Sequence, residues 1–324
     1  MTTLGQPLVD LLFVGIGAAC LWVGAVVLVE SAVRLSWRLG IPPLVVGLTV
    51  VAFGTSAPEF VVTVNAALSG ETTVSVANVV GSNVFNLGFV LGGVALIRAL
   101  PVSYDLVQRD GAVLLVATVA TTAFLADGLL DRVEGSILFL GLFAYLSLLF
   151  ASSTDEPVPG TMPGAPEPDE ALEATSEFDL LDPPKLVGSL AVVVAGGHLL
   201  VEGATGIASA AGISAWVIGA TVVAAGTSAP ELATSLVAAR RGNAGISAGN
   251  LIGSSVFNLL GVLGLAGTLR PLPVDPSALP SSLALLALCV VVVVLLGSEE
   301  ELARWEGALL VLVGLTNWAV GIAL

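Results

Sequence analysis

Apolar residues occupy most of this chain in long runs that are separated by short polar breaks. A helix needs about 20 apolar residues to cross about 30 Å of hydrocarbon. The first run follows neither a basic n-region nor a small-residue cleavage site, so we expect it to be retained as a helix. The pattern predicts an all-α integral membrane protein with ten transmembrane helices, at 8–33, 42–68, 74–97, 110–126, 134–151, 186–209, 214–239, 245–269, 279–297 and 305–323.

The second half of the chain repeats the first. A shift of 172 residues aligns 41–98 with 213–270 without a gap, and 28 of the 58 aligned positions are identical. The identities include polar blocks that composition bias does not produce, since GTSAPE at 54–59 and GS.VFNL at 81–87 both recur. Each half holds five predicted helices, and this odd number makes the second half enter the membrane from the opposite side. The sequence therefore predicts two inverted five-helix repeats.

These runs divide the chain into two halves and a linker. We assign 1–151 to the first half, with its repeat core at 41–98, and 185–324 to the second half, with its core at 213–270. The net charge is −15, but nine acidic residues fall within 152–184, which is also rich in proline. That composition is typical of a solvated linker without a core of its own.

Basic residues are unequally distributed between alternate loops. Cytoplasmic loops carry the excess of lysine and arginine in membrane proteins. The two residues on one side are Arg132 and Arg270, against eight on the other: Arg34, Arg38, Arg98, Arg109, Lys185, Arg240, Arg241 and Arg304. We therefore expect a multi-pass protein of the cell membrane, with both termini outside and the 152–184 linker in the cytoplasm.

The repeated GTSAPE segments place a carboxylate inside an apolar run. Pro58 removes a backbone donor, which is expected to free carbonyls around Ala52 and Thr55 for a bound cation. Glu59 lies about midway through its run, where an unpaired charge costs several kcal/mol or more. The same reasoning applies 172 residues later, at Ala224, Thr227 and Glu231. We expect the two carboxylates to meet near the midplane with a cation as their counter-charge, although a glutamate that only bonds a neighbouring helix is the alternative.

A second pair of repeated blocks adds neutral oxygens. Ser82 and Asn86 are four residues apart, as are Ser254 and Asn258, so each pair lies on one helical face. Helix packing is an alternative use of such residues. The combined set is all oxygen and suits Ca2+ and Na+, and it lacks the His and Cys that favour Zn2+ or Cu+. The negative charge of two glutamates is balanced by one Ca2+, and two or three Na+ among the same oxygens also bring the site near neutrality. Occupancy by one load or the other indicates coupled counter-transport.

These blocks resemble the alpha repeats of the calcium/cation antiporter superfamily, specifically its sodium/calcium exchanger branch. Relatives often carry Asp at the position of Asn258, so this chain is more similar to potassium-independent members; Ser255 replaces a frequent Asn. The resemblance implies one Ca2+ site and neighbouring Na+ sites with these ligands: Ala52, Thr55, Ser56, Glu59, Ser82, Asn86, Ala224, Thr227, Ser228, Glu231, Ser254 and Asn258.

We therefore expect a secondary antiporter that exchanges Na+ for Ca2+ by alternating access. The alternative is an H+/Ca2+ antiporter, or one for another divalent cation, in which the glutamates take up protons. A channel would need no counter-ion, and the helices lack the constellations of an enzyme. We expect no cofactor and no nucleic-acid partner. The expected substrates are Ca2+ and Na+. The protein is expected to lie in a lipid bilayer and to work as a monomer.

Overall fold

The structure is a computed structural model that describes residues 6–104, 106–153, 182–212, 224–276, 278–298 and 301–323. The first half contains α1 (Gln6–Leu39), α2 (Pro43–Thr55), α3 (Ala57–Ser69), α4 (Thr72–Ile97), β1 (Leu100–Pro101), α5 (Leu106–Asp127), β2 (Leu129–Leu130) and α6 (Arg132–Ser153). The second half contains α7 (Asp182–Ala210), α8 (Ala224–Thr227), α9 (Ala229–Arg240), α10 (Ala244–Leu269), β3 (Leu272–Pro273), α11 (Ala278–Ser298), β4 (Glu301–Leu302) and α12 (Arg304–Ala323).

The helices coincide with the predicted apolar runs. Among the described residues, seven helices are long and apolar enough to cross a membrane, and the bent pair α2 and α3 together forms an eighth candidate. Residues 214–223 of the seventh predicted run, and residues 154–181 of the linker, lie outside the described part of the chain. The protein is therefore a mostly helical multi-pass membrane protein, and the count of ten inverted spans stays a prediction.

The helices α4 and α10 form the centre of the bundle. Within their most apolar windows 67% and 89% of the residues are buried, against 28–44% for the other five single-helix spans. Small residues let neighbours approach α10 closely, because a Cβ added at Gly253 would lie 2.6 Å from the carbonyl oxygen of Leu48 in α2. The repeat segment in α2 is thus held directly against the central helix.

Contacts between the halves are reciprocal at the ends of the helices. The strand β1 pairs with β4, and β2 pairs with β3, both antiparallel. The guanidinium of Arg98 donates to the carbonyl of Ala239 at 3.0 Å, at the end of α9, and Arg270 donates to Leu68 at 2.9 Å, at the end of α3. Positive groups stabilise helix C-termini. Each half therefore holds the helix that follows the GTSAPE break in the other half.

A glycine seam joins α4 to α12. A Cβ added at Gly88 would lie 2.8 Å from Cα of Gly314, and one added at Gly307 would lie 2.6 Å from the carbonyl oxygen of Gly92. Gly93 is different, since an added Cβ would meet nothing within 4 Å. The seam lets α12 lie against the backbone of the helix that carries Ser82 and Asn86.

We expect Gly307→Ala to destabilise the protein, because its methyl group would overlap the backbone of α4. Overpacking of this kind costs about 1–3 kcal/mol, which corresponds to a melting temperature lower by about 3–10 °C. Thermal unfolding of the detergent-purified protein measures the change. Gly93→Ala is the matched control in the same seam region, and equal melting temperatures for the two variants would contradict the packing.

Candidate ion-binding site

Both GTSAPE segments interrupt a helix within the apolar region. The breaks fall at Ser56 (φ −79°, ψ 9°) and Ser228 (φ −89°, ψ 8°), and the first bends the chain by 50° between α2 and α3. Proline follows each break, at the second residue of α3 and of α9, where a missing N–H costs little. Glu59 and Glu231 consequently lie in the first turn of a new helix, whose positive dipole end stabilises a carboxylate.

One detail of the predicted break is wrong. The carbonyl of Ala52 is not released from its helix, because the N–H of Ser56 donates to it at 3.1 Å. Pro58 lacks the N–H that would reach the residue four positions earlier, which is Gly54, so the bond to Ala52 survives. The hydroxyls of Thr55 and Ser254 also approach the Ala52 oxygen, each at 3.4 Å. This oxygen therefore keeps its backbone bond and has two hydroxyl groups nearby.

The two glutamates are bonded crosswise between the halves. The hydroxyl of Ser56 donates to Oε1 of Glu231 at 2.9 Å, and Ser228 donates to Oε1 of Glu59 at 3.0 Å. Both carboxylates are fully buried and lie within electrostatic reach of each other. Each serine stands at the N-cap position of its own helix, yet its hydroxyl bonds the glutamate of the other half.

These carboxylates differ from other buried acids. Asp110 accepts hydrogen bonds from Arg109 at 2.9 Å and Tyr145 at 3.1 Å, and Glu306 accepts one from the N–H of Ala303 at 2.8 Å. In the described chain, the buried carboxylate oxygens that lack a partner are Oε2 of Glu59 and Oε2 of Glu231. Neither glutamate forms an ion pair within the described residues. The two buried negative charges therefore need a positive counterpart.

The central helices carry further buried neutral oxygens. Asn86 and Asn258 each lie in a π-helical stretch, Phe85–Leu91 of α4 and Phe257–Leu263 of α10, and such stretches are frequent at functional sites. Both are fully buried. The amide atoms of Asn86, Oδ1 of Asn258 and Oγ of Ser82 have no hydrogen-bond partner among the residues that the structure describes. Such atoms are costly unless an ion or water binds them.

Sequence reasoning missed Asn83, which breaks the symmetry between the halves. Its Nδ2 donates to the carbonyl of Ser255 at 3.3 Å, and its Oδ1 accepts from Nδ2 of Asn258 at 3.3 Å. The amide of Asn258 is thereby oriented with its unpartnered Oδ1 on the other side. The aligned residue in the second half is Ser255, so the two repeats differ at this position.

Two more asparagines support the breaks. Asn78 donates from Nδ2 to Thr63 Oγ1 at 2.9 Å, and Asn250 donates from Nδ2 to Ser235 Oγ at 2.9 Å. Their Nδ2 atoms also lie 3.4 and 3.5 Å from the carbonyl oxygens of Glu59 and Glu231. The signal was present in the sequence, because Asn78 and Asn250 are identical at the 172-residue offset.

Hydrogen bonds and electrostatic contacts join eight of the twelve predicted residues across the two halves: Ala52, Thr55, Ser56, Glu59, Thr227, Ser228, Glu231 and Ser254. Ser82, Asn86 and Asn258 lie in the central helices α4 and α10. Eleven of the twelve are buried, and Ala224, whose burial is not described, begins α8 beside Thr227. The described residues contain no group of three His, Cys, Asp or Glu side chains that could hold a metal. The region therefore offers two carboxylates among hydroxyl and amide oxygens, a donor set that suits hard cations.

Comparisons with known proteins agree with this arrangement. The family model described as sodium/calcium exchanger protein matches residues 9–151 and 185–314. The sodium/calcium exchanger MaX1 of Methanosarcina acetivorans is 30% identical over 94% of this chain and 96% of its own. The inner membrane protein YrbG of Escherichia coli is 33% identical over 87% of this chain and 88% of its own.

A solved structure of the sodium-calcium exchanger NCX_Mj, soaked with Na+ and Ca2+, superposes with a TM-score of 0.82. It is 27% identical in sequence, and the match covers 96% of this chain and 97% of that chain. The family match leaves out the whole acidic linker, 152–184, and covers both repeat cores. The chain therefore belongs to the sodium/calcium exchanger family, within the calcium/cation antiporter superfamily.

Proposed function

We propose that this chain exchanges Na+ for Ca2+ across the membrane, with Glu59 and Glu231 as the charged ligands of a shared site. The observation that carries the proposal is that each glutamate is fully buried, with one oxygen bonded to a serine of the other half and the other oxygen without a partner. A cation between the two free oxygens would complete the coordination of both. The sodium/calcium exchangers among its relatives support the same ions.

The charge of the site supports exchange of one load for another. Two carboxylates are neutralised by one Ca2+, and two or three Na+ among the same oxygens also bring the site near neutrality. The neutral ligands that we propose are Thr55, Ser56, Ser82, Asn86, Thr227, Ser228, Ser254 and Asn258, with the carbonyls of Ala52 and Ala224. An empty site would keep two uncompensated buried charges, which disfavours movement without an ion.

Alternating access follows from the arrangement of two halves around one site. We propose ten transmembrane helices in two inverted repeats, 1–151 and 185–324, joined by the linker at 152–184. The strand pairs support this count, because β1–β4 joins the loops after predicted helices 3 and 9, and β2–β3 joins those after helices 4 and 8. Each pair thus joins loops that the prediction puts on the same side of the membrane.

Charge neutralisation of either glutamate is expected to abolish exchange. In proteoliposomes loaded with Na+, we expect Ca2+ uptake by Glu59→Gln and Glu231→Gln to be at least about 100-fold slower than by the native chain, because a buried ion loses one charged ligand. Glu71→Gln, at an exposed loop, is the matched control. Unchanged uptake in either site variant would defeat the assignment.

Ca2+ uptake by the same vesicles distinguishes Na+ coupling from H+ coupling. For Na+ coupling, we expect Ca2+ uptake to stop when Na+ is omitted from both sides and to be insensitive to an imposed pH gradient. Uptake that persists without Na+ and follows the pH gradient would instead establish the H+/Ca2+ alternative. Flux that needs no counter-ion on the far side would indicate a channel.

The proposed orientation is tested by cysteine labelling of whole cells. In a background with Cys20 and Cys289 replaced by alanine, we expect Ala126→Cys, in the exposed last turn of α5, to react with a membrane-impermeant maleimide. Thr161→Cys, in the linker, is expected to react only after permeabilisation. The reverse pattern would show that the orientation is opposite to the proposed one. Labelling of both positions in intact cells would contradict the inverted repeat.

A further inference from the structure

Asn250 lies in the central helix α10 and is fully buried. Its Nδ2 donates to Ser235 Oγ at 2.9 Å and lies 3.5 Å from the carbonyl oxygen of Glu231, both in the second half. Its Oδ1 accepts a hydrogen bond from the hydroxyl of Thr55, in the first half, at 3.0 Å. The amide therefore connects the two breaks without belonging to the proposed ligand set.

The orientation of this amide is fixed from the second half. The hydroxyl of Ser247 donates to the carbonyl of Ser235 at 2.9 Å, and the hydroxyl of Ser235 lies 3.4 Å from the carbonyl of Ser247, to which it donates in return. Since its proton is directed there, Ser235 Oγ accepts from Asn250 Nδ2. An amide has one donor end and one acceptor end, so Oδ1 must face Thr55.

The direction of the Thr55 hydroxyl proton then determines whether the lone pairs of its oxygen can bind an ion. A hydroxyl has one proton and two lone pairs, and it binds a cation only through the lone pairs. The other acceptors near the Thr55 hydroxyl are the carbonyl of Ala52, at 3.4 Å, and the carboxylate of Glu231. Both are proposed ion ligands. A proton directed at either would occupy an oxygen that the ion needs.

We propose that Asn250 is a positioning residue that takes the Thr55 proton out of the ion site and so turns the Thr55 lone pairs toward the cation. This inference rests on the proposed function, since it requires that Thr55 ligates the ion. The chemistry requires an amide, because aspartate at this position would lack the donor for Ser235 and would add a third buried charge. Leucine has nearly the same volume but offers no acceptor.

The test is a double-mutant cycle on Ca2+ binding. Titration calorimetry of the purified full-length protein in detergent compares the native chain with Asn250→Leu, Thr55→Val and the double variant. We expect Asn250→Leu to weaken Ca2+ binding about tenfold, which is the worth of one hydrogen bond near a charge. Because Asn250 acts through Thr55, the double variant is expected to bind no more weakly than Thr55→Val alone.

A milder variant tests the same role if Asn250→Leu does not fold. Ser235→Ala removes the acceptor that orients the amide, and we expect it to weaken Ca2+ binding about threefold, again only when Thr55 is present. Asn317→Leu is the control, because the Asn317 amide donates only to the carbonyl of Val313 in its own helix among its described bonds, at 3.3 Å. Melting temperatures of all variants are measured without ions.

Three results would overturn the proposal. Losses that multiply in the double variant would show that Asn250 acts independently of Thr55. Coupling in the melting temperature without coupling in the Ca2+ affinity would show a merely structural bond. Absence of Ca2+ binding by the native chain would remove both the proposal and the function. A different result would separate the two proposals. If Ca2+ binding and the coupling between Asn250 and Thr55 are intact but a Na+ gradient drives no Ca2+ uptake, the proposed exchange is wrong and the role of Asn250 stands.

Discussion

The burial of two like charges in the middle of an apolar bundle is the constraint on which the rest of this structure depends. Glu59 and Glu231 are fully excluded from solvent, and in the described chain neither has a basic partner. A helix dipole and one serine hydroxyl each offset part of the cost, but one oxygen of each carboxylate remains unpartnered. The cation that we propose between these two oxygens would complete the coordination of both carboxylates.

Several features of the fold follow from that constraint. The helix must break so that each glutamate reaches a helix N-terminus, and the break must be supported at membrane depth. Asn78 and Asn250 supply that support from the central helices, while Arg98 and Arg270 hold the far ends of the helices that follow the breaks. Gly253 lets α2 come close enough to α10 for Thr55 to bond Asn250 and for Ser254 to approach the carbonyl of Ala52. The polar site is therefore assembled by apolar packing around it.

The sequence predicted a mostly helical membrane protein, because hydrophobic run length is a local property of the chain, and its internal identity pointed to the paired GTSAPE segments. It did not predict which partner each residue meets. Ser56 and Glu231 are far apart along the chain, and their bond depends on how the halves pack. Ala52 shows the same limit, because the effect of a proline was assigned to the wrong carbonyl. Asn83 was overlooked because its partners, Ser255 and Asn258, belong to the other half.

The crosswise serine bonds also bear on how such a chain arises by duplication. Ser56 serves Glu231 and Ser228 serves Glu59, so a half on its own holds a buried glutamate and a serine that has no glutamate to bond. A single unit could satisfy both groups only by meeting a second copy of itself. After duplication and fusion, replacement of either serine removes a hydrogen bond from the glutamate of the opposite half. The serine of each GTSAPE segment is therefore constrained by the glutamate of the other segment.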